Sequence, residues 1–186
     1  MKKLLLVMCL LFSLNPTAFA TEKCDVNVLN VFCLGGSLKN FTRQYTELNL
    51  LNDDRYSNVK VLRIDKSSVN QSEIQLINKL NYQNLKTITL KSLNNKIYSV
   101  HIEYENSQEP RNLNAKNELN TLLLATDLTI KYGQGLKTEG NNEEFWSISW
   151  GIKNYVVGLS CFRNEDCSLT YYLPKVAENI VSNSGL

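Results

Sequence analysis

The sequence predicts an α+β fold: one layered domain, mainly antiparallel sheet, with a long helix packed on one face and two short disulfide-closed loops. Three observations carry that prediction. The segments read strand, helix, strand, helix, two-stranded hairpin, long helix and three-stranded meander, an order that is neither a regular βαβ series nor all-β. Residues 97–104 alternate Tyr98, Val100, Ile102 and Tyr104 with Ile97, Ser99, His101 and Glu103, which gives a sheet with one apolar and one mostly polar face. Four of the five cysteines fall in two close pairs, Cys24 with Cys33 and Cys161 with Cys167.

The elements follow in order. A strand is expected over residues 26–34, ended by Gly35-Gly36. Ser37 then caps a helix whose Leu38, Phe41, Tyr45 and Leu48 recur at helical spacing. A Gly-Gly-Ser step before a helix can also cradle phosphate, but here it lacks both the Walker lysine and the spaced dinucleotide fingerprint, so it reads as a turn and cap. Residues 59–64 and 85–91 read as strands. Between them a short helix over 72–80 would bury Ile74, Ile77 and Leu80. Asn94-Asn95 marks a hairpin turn, because asparagine tolerates positive φ.

The longest helix is expected over residues 115–132, with Leu119, Leu122, Leu123, Thr126 and Ile130 on one broad face and Gly133 at its left-handed stop. The polar stretch 134–144 reads as a mobile loop. Strands over 145–150, 155–162 and 168–173 complete the sheet, and a helix follows Pro174.

Export is written into the N-terminus. Lys2 and Lys3 precede an apolar run of 11 residues, Leu4 to Leu14, and Ala18-Phe19-Ala20 places small residues where signal peptidase needs them. Cleavage is expected after Ala20, leaving residues 21–186 as a single exported domain, periplasmic or secreted. The apolar run falls short of the roughly 20 residues of a spanning helix, and Cys9 lacks a lipobox, so no stable membrane anchor is expected. The Lys-Lys start favours a bacterial source. In a eukaryotic secretory route, Asn40-Phe41-Thr42 and Asn70-Gln71-Ser72 would be glycosylation sites. Loss of Lys2 and Lys3 reduces the 20 Lys and Arg to 18, matching the 18 Asp and Glu. A near-neutral chain lacks the basic field of a nucleic-acid binder.

Cleavage would remove Cys9 and leave four cysteines, and an even number in an exported chain favours disulfides, here Cys24–Cys33 and Cys161–Cys167. Their spacing does not match a zinc knuckle or ribbon, so no metal is expected, and no cofactor motif is present.

Catalytic signals are sparse. His101 is the only histidine. Ser99, His101 and Glu103 share one strand face and invite a triad reading. Alternate residues stand about 7 Å apart, however, so bonding along the row needs bent rotamers, and no nucleophile elbow accompanies them. The acid pairs Asp53-Asp54, Glu143-Glu144 and Glu165-Asp166 fall in predicted loops, where acids are ordinarily solvated, and Asn52-Asp53-Asp54 lacks the rest of a calcium loop. Trp146 and Trp150 point to one side of their strand, as core beneath the long helix or as an aromatic platform.

The reading that follows is an exported, non-enzymatic protein-binding domain of inhibitor or immunity type. Its partner surface would be the polar sheet side and the adjoining 134–144 loop, with His101, Glu103 and Tyr155 as members. The alternative is a small hydrolase acting on an envelope polymer.

Overall fold

The computed structural model describes residues 24–45, 48–80, 85–104, 121–139, 145–162 and 166–183. A small hairpin, β1 (Val26–Val28) and β2 (Phe32–Leu34), leads into α1 (Leu38–Gln44), followed by β3 (Leu50–Asn52) and β4 (Val59–Asp65). Then come α2 (Gln71–Leu80), β5 (Leu85–Leu93), β6 (Lys96–Tyr104) and α3 (Thr121–Tyr132). The chain continues through β7 (Leu136–Glu139), β8 (Phe145–Ile152), β9 (Tyr155–Phe162), β10 (Cys167–Tyr172) and α4 (Pro174–Asn183). β3 to β10 form one eight-stranded sheet in the order β3-β4-β5-β6-β10-β9-β8-β7, with every neighbouring pair antiparallel.

This architecture corrects the expected α+β fold with a long helix across one face. The molecule is mostly antiparallel sheet, and its four described helices are short, the longest spanning 12 residues. Eight strands at about 4.8 Å spacing span about 34 Å, whereas a helix of that length reaches about 18 Å. No single such helix can cover the apolar face, so several short elements share it.

That face is built from paired rows. Leu62, Leu90, Val100, Tyr171, Val157 and Trp150 lie side by side across six strands. Beside them run Ile64, Ile88, Ile102, Leu169, Leu159 and Ile148. These residues share one hydrophobic cluster with Phe32 and Leu34 of the hairpin, Leu38 and Phe41 of α1, Leu76 and Leu80 of α2, Leu128 of α3 and Ile180 of α4. Trp150 is 2% exposed, and its indole N–H donates to the Gly133 carbonyl at 2.9 Å. Trp146 packs against the same cluster, so the tryptophan row belongs to the core.

Several local expectations also change. The strand expected over 26–34 is a tight hairpin, turned by Leu29 and Asn30 at φ 53° and 56°. α1 stops at Gln44, so Leu48 lies beyond it. In α2 the deepest residues are Leu76 and Leu80, and Ile74 and Ile77 are half-buried. α3 turns Leu124, Ala125, Leu128 and Tyr132 inward, leaving Thr126 exposed and Ile130 78% exposed. Positions 115–120, including Leu119, lie outside the described residues, as do positions 1–20, where a signal segment is expected, and positions 140–144 of the expected loop. The first part of the expected loop is strand β7, whose four residues are all exposed.

Both disulfides join the expected partners. Cys161 and Cys167 are directly paired across β9 and β10 with Cα atoms 4.2 Å apart. That separation fits a non-hydrogen-bonded antiparallel pair. Cys24–Cys33 ties the first described residue to the β1–β2 hairpin at a Cα distance of 5.2 Å. The two bonds fit an oxidising, extracellular-type environment. Among the described residues no helix is long and apolar enough to cross a membrane.

One junction fastens the N-terminal layer to the sheet. Asn94 and Asn95 turn the β5–β6 hairpin at φ 49° and 68°. The Asn95 carbonyl accepts from Leu38 N–H and its side-chain oxygen from Lys39 N–H, each at 2.8 Å. Its amide donates to the Ser37 hydroxyl, which itself accepts from Asn40 N–H at 3.2 Å as the cap of α1. Gly35 N–H donates to the Ile97 carbonyl and Ile97 N–H to the Gly36 carbonyl. Gly35 is held at φ 87°, where a side chain would also meet Asp25. Asn95→Gly keeps the turn but removes the side-chain bonds, and should cost about 1 kcal/mol in urea unfolding. Asn95→Ala should cost about 1 kcal/mol more, because alanine resists positive φ; equal losses would show that the turn conformation carries no weight.

Candidate functional site

The other side of the sheet is laid out by the same registers. Across β8, β9 and β10 run the rows Ser147–Ser160–Ser168, Ser149–Gly158–Thr170 and Gly151–Val156–Tyr172. All nine residues are uncharged and most are short. β6 and β5 continue the rows with Glu103 and Thr87, His101 and Thr89, and Ser99 and Lys91. The face is therefore uncharged on one half and charged on the other.

The boundary between the halves is a bonded chain of four side chains. His101 Nδ1 lies 2.8 Å from Thr170 Oγ1 on the neighbouring strand. Its Nε2 lies 3.5 Å from Glu103 Oε1, two residues along its own strand. The other Glu103 oxygen accepts from the Thr87 hydroxyl at 2.6 Å. Thr87 is only 2% exposed, whereas about a third of the His101 side chain is open, 34%. The Thr87 hydroxyl holds the Glu103 carboxyl below its ordinary value, with smaller help from His101 and Arg63 and against the effect of burial. With Nε2–H turned to Glu103, the imidazole Nδ1 can accept the Thr170 proton, giving an ordered set of donors and acceptors on an open surface.

His101 and Glu103 thus lean together along the strand, which the perpendicular stance expected from the sequence made difficult. Ser99 takes no part in the chain, and a threonine from β10 stands where the serine was weighed. Thr170 and Thr87 were missed because their partnership depends on strand order. Only once β10 and β5 flank β6 do these positions meet.

Tyr155 lies elsewhere. It pairs with Ile152 and follows the apolar phase of β9, and its ring meets Tyr132 of α3 edge-on at a centroid distance of 6.3 Å. Burial raises the Tyr155 phenol pKa, and the neighbouring Tyr132 raises it further. The residue fastens α3 to the covered side and does not join His101 and Glu103.

The acid pairs are dispersed. Asp53 accepts from Arg55 N–H and faces Lys91, while the Asn52 side chain accepts from Lys60. Asp166 pairs with Lys86. Glu165 and the pair Glu143-Glu144 lie outside the described residues. Among the described residues no group of three His, Cys, Asp or Glu could hold a metal ion. Compared with models of known families, with curated proteins and with solved structures, the chain matches none.

The Glu103 network sets a pH dependence. A carboxyl whose folded pKa is depressed gives its full stabilisation above its unfolded pKa, about 4.3, and loses it as pH falls through the folded value. Thr87→Val removes the donor while keeping the buried shape, and should cost about 1 kcal/mol near pH 7. Urea titrations of wild type and variant should converge as pH falls from about 5 to about 3; a constant gap would show that the Thr87 bond does not depend on the carboxylate charge.

Proposed function

We propose that this chain is an exported, periplasmic or secreted protein-binding domain of inhibitor or immunity type, and that the polar sheet face is its contact surface. The single observation behind this reading is the grid of short, uncharged side chains on β8 to β10, beside the ordered Thr170–His101–Glu103–Thr87 chain. Serine, threonine and glycine have little side-chain entropy to lose on docking, and uncharged groups are cheaper to desolvate than lysine or glutamate. The held imidazole and carboxylate add directional donors and acceptors at one boundary, which serves specificity. The sequence-derived export signal and the two disulfides agree with a partner met outside the cytoplasm.

The test is capture with variants on opposite sides. Wild type and Ile130→Lys, which alters the exposed side of α3, should recover the same protein after cross-linking in the exported fraction. Ser147→Lys/Ser160→Lys should lose that protein at least tenfold at an unchanged melting temperature, and His101→Ala should weaken capture. Partner retention by the double variant would sink the choice of face. Hydrolysis of peptidoglycan by wild type, abolished in His101→Ala, would replace the binding reading with that of a hydrolase.

A further inference from the structure

The covered side of the sheet holds a separate cavity of about 440 Å³ among the β1–β2 turn, the C-terminal ends of α2 and α3, and Tyr171. That volume lies in the range of about 300–1,000 Å³ typical of small-molecule sites. Leu29, Val31, Leu80 and Tyr171 give it apolar wall, while Asn27, Asn30, Lys79 and Lys131 are its polar lining residues. Among the described residues no Asp or Glu belongs to that wall. Neither lysine enters an ion pair with another described residue; the Lys131 ammonium instead stands 5.0 Å from the Tyr132 ring centroid.

The charge balance favours an anion. Each lysine is in or near the last turn of its helix, where the helix dipole contributes about half a negative charge. Two full positive charges exceed those two halves, so the described lining carries a positive surplus. Its geometry points the same way. Leu29 adopts the left-handed backbone region at φ 53°, which asparagine enters readily but a leucine seldom does. Backbone strain of this kind is retained where the surroundings enforce it, and it concentrates at ligand-binding sites. Here the Cys24–Cys33 bond and the buried Val28 and Phe32 hold the turn, and the strained Leu29 forms cavity wall.

We infer that this cavity is a binding site for a small polar dicarboxylate, its two anionic ends meeting Lys79 and Lys131 and its polar frame meeting Asn27 and Asn30. The site is independent of the sheet face assigned to a protein partner.

The experiment uses the disulfide-bonded chain with malate as the probe, and with lactate and the uncharged diamide of malic acid as controls. Malate should bind one to one in calorimetry, shifting the amide resonances of residues 27–31 and 79–80, and its affinity should fall as salt is raised. Lactate should bind at least fivefold more weakly, and the diamide should cause no shifts. Lys79→Gln/Lys131→Gln should weaken malate at least tenfold. Both lysines are exposed, and an unchanged circular dichroism spectrum and melting temperature would confirm that the fold persists. Equal binding of malate and its diamide, unchanged affinity in the double variant, or shifts confined to the opposite sheet face would each overturn the assignment.

Discussion

The register of β5 against β6 governs the rest of this structure, and the Asn94-Asn95 turn sets it. Side chains alternate along a strand with a period of two, so a slip of one residue would exchange the two faces completely. β6 is central: β5 lies on one side and β10 on the other, and through β10 its phase passes to β9 and β8. With Val100 and Ile102 facing the helices, His101 and Glu103 must face the other way. The same asparagine that closes the turn also holds the start of α1. Strand register and N-terminal cover are thus specified at one place.

This arrangement divides the molecule into a covered side and a polar side with different energetics. The covered side is stabilised by apolar burial across strands far apart in sequence, under small pieces that each shield part of a sheet wider than any one of them. Such cover needs fastening. Tyr132 against Tyr155 and Trp150 on the Gly133 carbonyl fasten α3, and Cys24–Cys33 with the Asn95 bonds fastens the hairpin and α1. On the polar side, order comes from directional bonds between close cross-strand neighbours, where burial gives little. His101 is fixed there because Thr170 and Glu103 hold its two ring nitrogens.

What could be read from the sequence was mostly local. The Ser37 cap, the Asn94-Asn95 turn, the Gly133 stop at φ 82°, both disulfides and the helix after Pro174 depend on a few adjacent residues and their backbone preferences. Features decided by distant partners were not legible. β7 has no apolar alternation, since Leu136 to Glu139 gain strand geometry only by pairing with β8. α3 offers apolar residues on more than one side, and the sheet beneath it, not helical periodicity, selects Leu128 over Ile130. Leu29-Asn30 lacks the glycine that usually announces such a turn, and the disulfide and core impose it instead. The placement of His101 and Glu103 followed from alternation. Tyr155 did not, because β9 has glycine and valine on its polar side and gives a weak phase signal.

Among the described residues the sheet ends in two edge strands, β3 and β7, and for the proposed partner the details favour the face over an edge. The edge strands are short: β3 has three residues and β7 has four. Short edges offer few free backbone groups, and charges along them oppose further strand addition. β7 carries Lys137 and Glu139, which pair with each other, and Lys60 reaches onto Asn52 at the β3 edge. The polar face has the opposite character. Its charges gather on β4 to β6, where Glu103 is bonded to Thr87 and Lys91 faces Asp53, leaving β8 to β10 smooth and uncharged. Docking on that half displaces water from short side chains without breaking an ion pair, whereas pairing at either edge would have to disturb one of the lysine contacts that guard it.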